Sequence, residues 1–184
     1  MIQDIIAEAK EHMKKSIEHL DQELSHVRSG RAHPSLVDSI PVEYYGSEVP
    51  LKQIASISIP EARTIAIQPF DKNALADIEK AIHKSDLSVN PNNNGQTIHL
   101  QLPHLTEEQR KDLVKIVHKQ SEETRIAVRN IRRDANAKLD RAQKDGSSED
   151  EVKRAHDEIQ KITDTHIQQI DEHAKNKEKE VMTV

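Results

Sequence analysis

Residues 106–145 read TEEQRKDLVKIVHKQSEETRIAVRNIRRDANAKLDRAQKD, and their periodicity decides the fold. Leu113, Val117, Thr124, Val128, Ile131, Ala135, Leu139 and Ala142 recur at steps averaging near 3.6 residues, which is one stripe on one helix. Thr106 and Gln109 open it as a capping-box pair, each side chain free to satisfy the other's backbone N–H. Nothing interrupts the pattern before Asp145-Gly146. At 1.5 Å per residue the rod is roughly 55 Å long.

Outward from this rod lie two more of the same kind. Ile2, Ile6, Met13, Ile17, Leu20, Leu24 and Val27 mark an N-terminal helix. Val152, Ala155, Ile159, Ile162, Ile170 and Ala174 mark a C-terminal one, with Ser148 and Glu151 spaced as a second capping box. Three amphipathic rods bury their stripes together, so a three-helix bundle is expected. Such a bundle has no need of a second copy, and a monomer is expected.

Between the first and second rods the signal changes. Residues 36–45, 54–59, 64–67, 87–89 and 97–102 are short runs rich in Ile, Val and Thr, and all seven prolines fall between residues 34 and 103. Pro41, Gly46, Pro50, Pro60, Pro69 and the Asn90-Pro-Asn-Asn-Asn-Gly stretch punctuate them as turns, with one helix over 73–84. The expected class is α+β: a bundle from residues 1–29 and 105–184, with a small β/α/β domain inserted over 31–103. The chain leaves the bundle through Ser29, Gly30 and Arg31 and returns through Pro103, His104 and Leu105. Glycine frees one crossing and proline stiffens the other, which suits a limited hinge.

Composition removes several function classes. Four scattered glycines, Gly30, Gly46, Gly95 and Gly146, form neither a dinucleotide fingerprint nor a Walker loop. Zero cysteine removes thiol catalysis, thiolate zinc sites and disulfides. His12, His19, His26 and His33 recur every seven residues. Helical neighbours at that spacing stand about 10.5 Å apart, too far to share one ion, and no metal is assigned. Neither a nucleophile elbow nor a cofactor motif appears, so no enzyme and no cofactor is expected. Tyr44 and Tyr45 read as packing residues at a strand end. No apolar stretch approaches membrane-spanning length and the N-terminus lacks an export pattern, so the expected location is cytoplasmic.

Charge singles out the middle rod. The chain carries −5 overall, yet residues 109–144 hold eleven Lys or Arg against five Asp or Glu, a local +6. Arg110, Arg125, Arg129, Arg132, Arg133 and Arg141 are six of the ten arginines. At 100° per residue, Arg125, Arg129 and Arg132 fall within about 60° of one another, beside the apolar stripe. Two readings compete. A bundle exterior is charged in any case, and Glu122, Glu123, Asp134 and Asp140 are available as weak surface partners. Against that, arginine's fixed fork suits phosphate, and a cationic edge on an acidic chain directs a polyanion to one surface. Aromatics are only 2%, which supplies little base stacking and favours backbone and shape recognition of folded RNA. A protein-binding adaptor without an RNA role is the alternative, since long amphipathic helices commonly associate.

Four stretches carry a resemblance: Val27-Arg-Ser-Gly-Arg-Ala-His-Pro-Ser-Leu36, Val42-Glu-Tyr-Tyr-Gly46, Leu105-Thr-Glu-Glu-Gln-Arg-Lys-Asp-Leu113 and Ala127-Val-Arg-Asn-Ile-Arg-Arg-Asp-Ala-Asn136. Together they resemble the ribosome recycling factor family, in order and over essentially the whole chain. The resemblance implies an L-shaped pair of domains, a three-helix bundle and a β/α/β insert joined by a paired hinge. It implies a non-enzymatic factor that binds the large ribosomal subunit after termination. With elongation factor G and GTP, such a factor splits the ribosome into subunits. It also implies contacts to ribosomal RNA from arginines that fall here on Arg110, Arg129, Arg132 and Arg133, with Arg28 and Arg31 flanking Gly30. Arg125 joins them from the ridge itself. His33 stands where the family often has a small residue, and Gln109 and His118 where arginine is frequent.

Overall fold

The computed structural model describes residues 1–87 and 89–183. The chain divides into two compact units, Met1–Val27 with Lys111–Thr183, and Arg28–Arg110. The first is a bundle of three long helices, α1 (Ile2–Ser25), α4 (Glu107–Lys144) and α5 (Glu149–Met182), with the opening turn of α4 grouping with the second unit. The second holds a hairpin of β1 (Pro41–Tyr44) and β2 (Ser47–Pro50), the short α2 (Leu51–Ile54), strands β3 (Ala55–Glu61) and β4 (Thr64–Pro69), the helix α3 (Leu75–Lys84), and strands β5 (Pro91–Asn93) and β6 (Ile98–Gln101).

The bundle follows from its stripes. Met13 and Leu20 on α1, Val117, Val128 and Leu139 on α4, and Ile159 and Ile170 on α5 are all fully excluded from solvent. Each contributes about 1.5–3 kcal/mol by leaving water. The stripe also includes polar residues. Ser121, Thr124, Thr163 and His166 are buried, and each satisfies itself on its own helix: their side chains engage the carbonyls of Val117, Gln120, Ile159 and Ile162. Thr163 and His166 separate two apolar clusters along α5, one around Val152, Ala155 and Ile159 and the other around Ile170, Ala174 and Val181.

Helix ends obey their local chemistry. Thr106 and Gln109 close the expected capping box, with Gln109 N–H on Thr106 Oγ1 at 3.1 Å and Thr106 N–H on Gln109 Oε1 at 2.9 Å. Gly146 at φ +107 ends α4, and the N–H groups of Gly146 and Ser147 turn back to the carbonyls of Gln143 and Ala142. The second expected box does not form. Ser148 precedes α5 in extended conformation without a side-chain cap, and only its carbonyl is used, by Val152 N–H.

In the insert, four antiparallel strands run in the order β3-β4-β6-β5. Ile65 pairs with Leu100 and Ile67 with Ile98, and all four are fully buried, so the core sits on the two central strands. Helix α3 adds Leu75, Ile78 and Ile82 to the same cluster. Three strand expectations differ. Residues 36–40 are not strand: Pro34 opens a 3₁₀ turn (Pro34–Leu36) that His33 caps, with Val37 fully buried in the core and Leu36 and Ile40 packed against it. Ser47–Pro50, outside the expected strands, pairs with β1, Val42 facing Val49. The run at 87–89 includes Ser88, outside the described residues, and the last strand before β6 is Pro91–Asn93, inside the expected asparagine turn. Proline is tolerated there because β5 is an edge strand.

The β1-β2 turn has positive φ at both central residues, Tyr45 (+48) and Gly46 (+79), the geometry a two-residue hairpin demands. Tyr45 is consequently thrown outward, 77% exposed, its ring edge-on against Tyr44 at 4.5 Å rather than in the core. Its hydroxyl and that of Tyr44 both donate to Asp71 Oδ2. The bond to Asp71 pushes the Tyr45 phenol above its ordinary range, and desolvation does the same for Tyr44.

Both crossings are pinned to one turn of the insert. Ala32 N–H donates to Ala62 O at 2.7 Å and Leu102 N–H to Arg63 O at 2.8 Å. Just outside these pins, Gly30 adopts φ +77, and a Cβ there would meet the Leu105 side chain at an unstrained 3.6 Å to Cδ1 and 3.8 Å to Cγ. The cost of a side chain at this position is therefore backbone strain alone. Gly30→Ala is expected to lose about 1 kcal/mol, read as a lower denaturation midpoint at unchanged slope.

Candidate nucleic-acid interface

Helix α4 carries the cationic edge, and the structure sorts its arginines by how far their guanidinium groups are already engaged. Arg125 is committed. Its Nε donates to Asp171 Oδ1 on α5 at 2.8 Å, its Nη2 meets the same oxygen at 2.7 Å, and its Nη1 lies 3.1 Å from Glu122 Oε2. Only 22% of the side chain remains exposed. Here the sheltered geometry makes Arg125 a clamp between α4 and α5.

Arg129 and Arg132 are held loosely. Arg129 Nη1 lies 3.7 Å from Glu122 Oε1 and the side chain is 43% exposed. Arg132 Nη1 reaches Gln160 Oε1 on α5 at 3.5 Å, and Gln160 in turn donates to Asp164 at 2.8 Å. Arg133 is exposed and has no ion pair or hydrogen bond among the described residues. Long or absent partners leave these three forks available to an incoming anion, since exposed pairs of this kind contribute about 0–1 kcal/mol. Arg141 is also exposed, in the last turn, but lies about 120° around the helix from Arg129 and so off this edge.

The remaining expected residues belong to the other unit. Arg31 is exposed, whereas Arg110 and Arg28 are half-buried. Arg28 has its Nε and Nη2 out of solvent with no hydrogen-bond partner among the described residues. The structure thus brings Arg125, Arg129, Arg132 and Arg133 together on one helix and assigns Arg28, Arg31 and Arg110 to Arg28–Arg110.

The three unusual positions have structural employment. Gln109 closes the α4 capping box. His118 Nε2 lies 3.1 Å from Glu178 on α5. His33 accepts Ser35 N–H at 3.1 Å as the cap of the 3₁₀ turn. Among the described residues no group of three or more histidine or carboxylate side chains is placed to hold a metal ion, and no helix is long and apolar enough to cross a membrane. The seven-residue histidine series stays dispersed: His19 pairs with Glu23 and His26 with the carbonyl of Gln22.

Of the partners that tune this edge, the carboxylates Glu122, Asp171 and Asp164 and the amide of Gln160, those on α5 escape a reading by helical spacing. Glu122 alone is visible as an i,i+3 neighbour of Arg125. The others come from α5, and the register between two helices is not written in either one.

Comparison with known proteins gives one consistent result. The family model for ribosome recycling factor matches residues 20–182. The ribosome-recycling factor of Shouchella clausii is 55% identical over 185 aligned residues, covering 100% of both chains. That of Halalkalibacterium halodurans is 52% identical with the same coverage. A solution structure of ribosome recycling factor superposes with a TM-score of 0.81 at 46% identity, covering 100% of this chain and 98% of that one. The Thermus thermophilus ribosome recycling factor, in models with Escherichia coli elongation factor G bound to the E. coli post-termination complex, gives a TM-score of 0.69 at 49% identity, with full coverage of both chains.

Proposed function

Because this chain belongs to the ribosome recycling factor family, we propose that the open edge of α4 is its grip on ribosomal RNA, with Arg129, Arg132 and Arg133 as the contacts and Arg125 as their structural footing. The factor binds the large ribosomal subunit after termination and, with elongation factor G and GTP, separates the post-termination complex into subunits. It acts in the cytoplasm and catalyses no reaction of its own. The free energy comes from the partner's nucleotide, and this chain transmits force.

One observation carries the RNA assignment: three adjacent guanidinium forks stand loosely held or unengaged on a +6 segment of a chain whose overall charge is −5. A polyanion is attracted to that edge and repelled elsewhere. Arg28, Arg31 and Arg110, in the other unit, are further RNA contacts in this reading. The crossings at Ser29, Gly30 and Arg31 and at Pro103, His104 and Leu105 serve as the paired hinge between the bundle (1–29, 105–184) and the insert (31–103). The pins at Ala32 and Leu102 support this, because the backbone between them and the bundle is the first stretch released from the sheet.

Sedimentation tests the whole reading. Purified post-termination ribosomes given this protein, elongation factor G and GTP are expected to yield free subunits, and omission of any one component to leave them joined. Ribosomes that stay whole with all three present refute the function.

A further inference from the structure

Glu122 lies on α4 inside the arginine edge, and its two oxygens face different guanidinium groups. Oε2 lies 3.1 Å from Arg125 Nη1 and Oε1 3.7 Å from Arg129 Nη1. Arg125 does not need it for neutrality, since Asp171 already takes its Nε and Nη2 at 2.8 and 2.7 Å. Asp171, Arg125, Glu122 and Arg129 therefore form a row of alternating charge in which the surplus negative charge of Glu122 falls on Arg129. Glu122 is 54% exposed and Arg129 43%, so the pair sits where an incoming phosphate would arrive.

An ordinary helix ion pair accounts for the first contact. It does not account for the second, which spans seven residues along α4 at a distance too long for a hydrogen bond. We propose that Glu122 competes with RNA phosphate for Arg129, holding the grip of the α4 edge below its maximum so that the factor leaves the ribosome after each round. This rests on the reading of that edge as the RNA contact. A phosphate that reaches Arg129 must displace Oε1 or bind beside it, and either way the carboxylate opposes it. Tight binding would serve a structural component of the ribosome; a factor used repeatedly needs release.

The test is a double-mutant cycle on binding to purified large subunits, measured across a salt series. E122Q keeps the shape of the side chain and an acceptor for Arg125 while removing the charge. It is expected to bind about threefold tighter, the size of one exposed charge contact, with a steeper salt dependence. Under multiple-turnover conditions its recycling should slow. Glu123 is exposed and lies about 100° around the helix, so E123Q is the control of equal charge and should change binding clearly less. In an Arg129→Gln background the gain from E122Q should vanish. A gain of the same size in that background, or none in the native one, overturns the role of Glu122 while leaving the edge as the contact. If Arg129→Gln itself has no effect on binding, Arg129 is not a contact and the role of Glu122 falls; the edge as a whole falls only if replacing Arg129, Arg132 and Arg133 together also leaves binding unchanged.

Discussion

Replacing Arg129, Arg132 and Arg133 together by glutamine is expected to weaken binding to the large ribosomal subunit roughly 100-fold at physiological salt, with the bundle still folded. Each lost phosphate contact is worth on the order of 1 kcal/mol and flattens the dependence of log affinity on log salt by about one unit. The substitution is safe for the fold because, among the described residues, the three arginines give up only a 3.7 Å pair, a 3.5 Å hydrogen bond and a fork without a partner. Arg125→Gln separates the two roles of this edge. It removes the clamp to Asp171 and Glu122, so it should lower thermal stability more than any single member of the trio. Its effect on the salt slope should be the smaller one. A binding isotherm for the triple variant that overlays the native one, with helicity intact, would remove α4 from the interface.

The reason this edge could be anticipated is that periodicity and charge are both local. The 3.6-residue recurrence from Leu113 to Ala142 places a helix and its buried side, and the angular positions of Arg125, Arg129 and Arg132 follow from the same rotation. Functional sorting among them was not local. Arg125 and Arg129 look equivalent on a helical projection, yet Asp171 on α5 converts the first into a clamp. That distinction depends on the register between two helices, set by how Val117, Val128 and Leu139 pack against α1 and α5. The seven-residue spacing of the histidines illustrates the opposite case, a regular pattern that the fold leaves without a shared purpose.

The insert was less legible for a different reason. Its strands are four to seven residues long in the main, and at that length pairing partners outweigh intrinsic preference. Ser47–Pro50 is strand because β1 lies beside it, and Pro91–Asn93 because β6 offers a free edge. Residues 36–40 have strand-like composition but follow Pro34, whose fixed φ and the cap from His33 turn the chain first. Tyr45 packs only edge-on against Tyr44, because the hairpin's left-handed turn holds it out of the core. What composition did convey was the position of the boundary, because every proline and most β-branched runs lie on one side of it.

Ile67→Ala is expected to destabilise the insert by about 2–5 kcal/mol while leaving the bundle nearly untouched. Ile67 is fully buried on the central strand β4, opposite Ile57 on one side and Ile98 on the other, so its loss opens a cavity that these two β-branched neighbours cannot readily fill. A unit of this size has total stability of roughly 4–12 kcal/mol, so the loss is a large fraction of it. The chain supplies its own reporters. It has no tryptophan, and both tyrosines, Tyr44 and Tyr45, lie in the insert, so tyrosine emission follows that unit alone. Far-ultraviolet circular dichroism is dominated by α1, α4 and α5. In Ile67→Ala the emission transition should move to lower temperature by roughly 10 °C or more while the ellipticity transition stays near its native position. Two separated transitions require that each core stands by itself, the condition for an insert that swings on flexible crossings while the bundle remains anchored. If both probes moved together, the crossings would be carrying stability from one core to the other. A hinge between Ser29 and Arg31 would then have to break cooperative structure in order to bend, which is incompatible with the limited, reversible motion that force transmission demands.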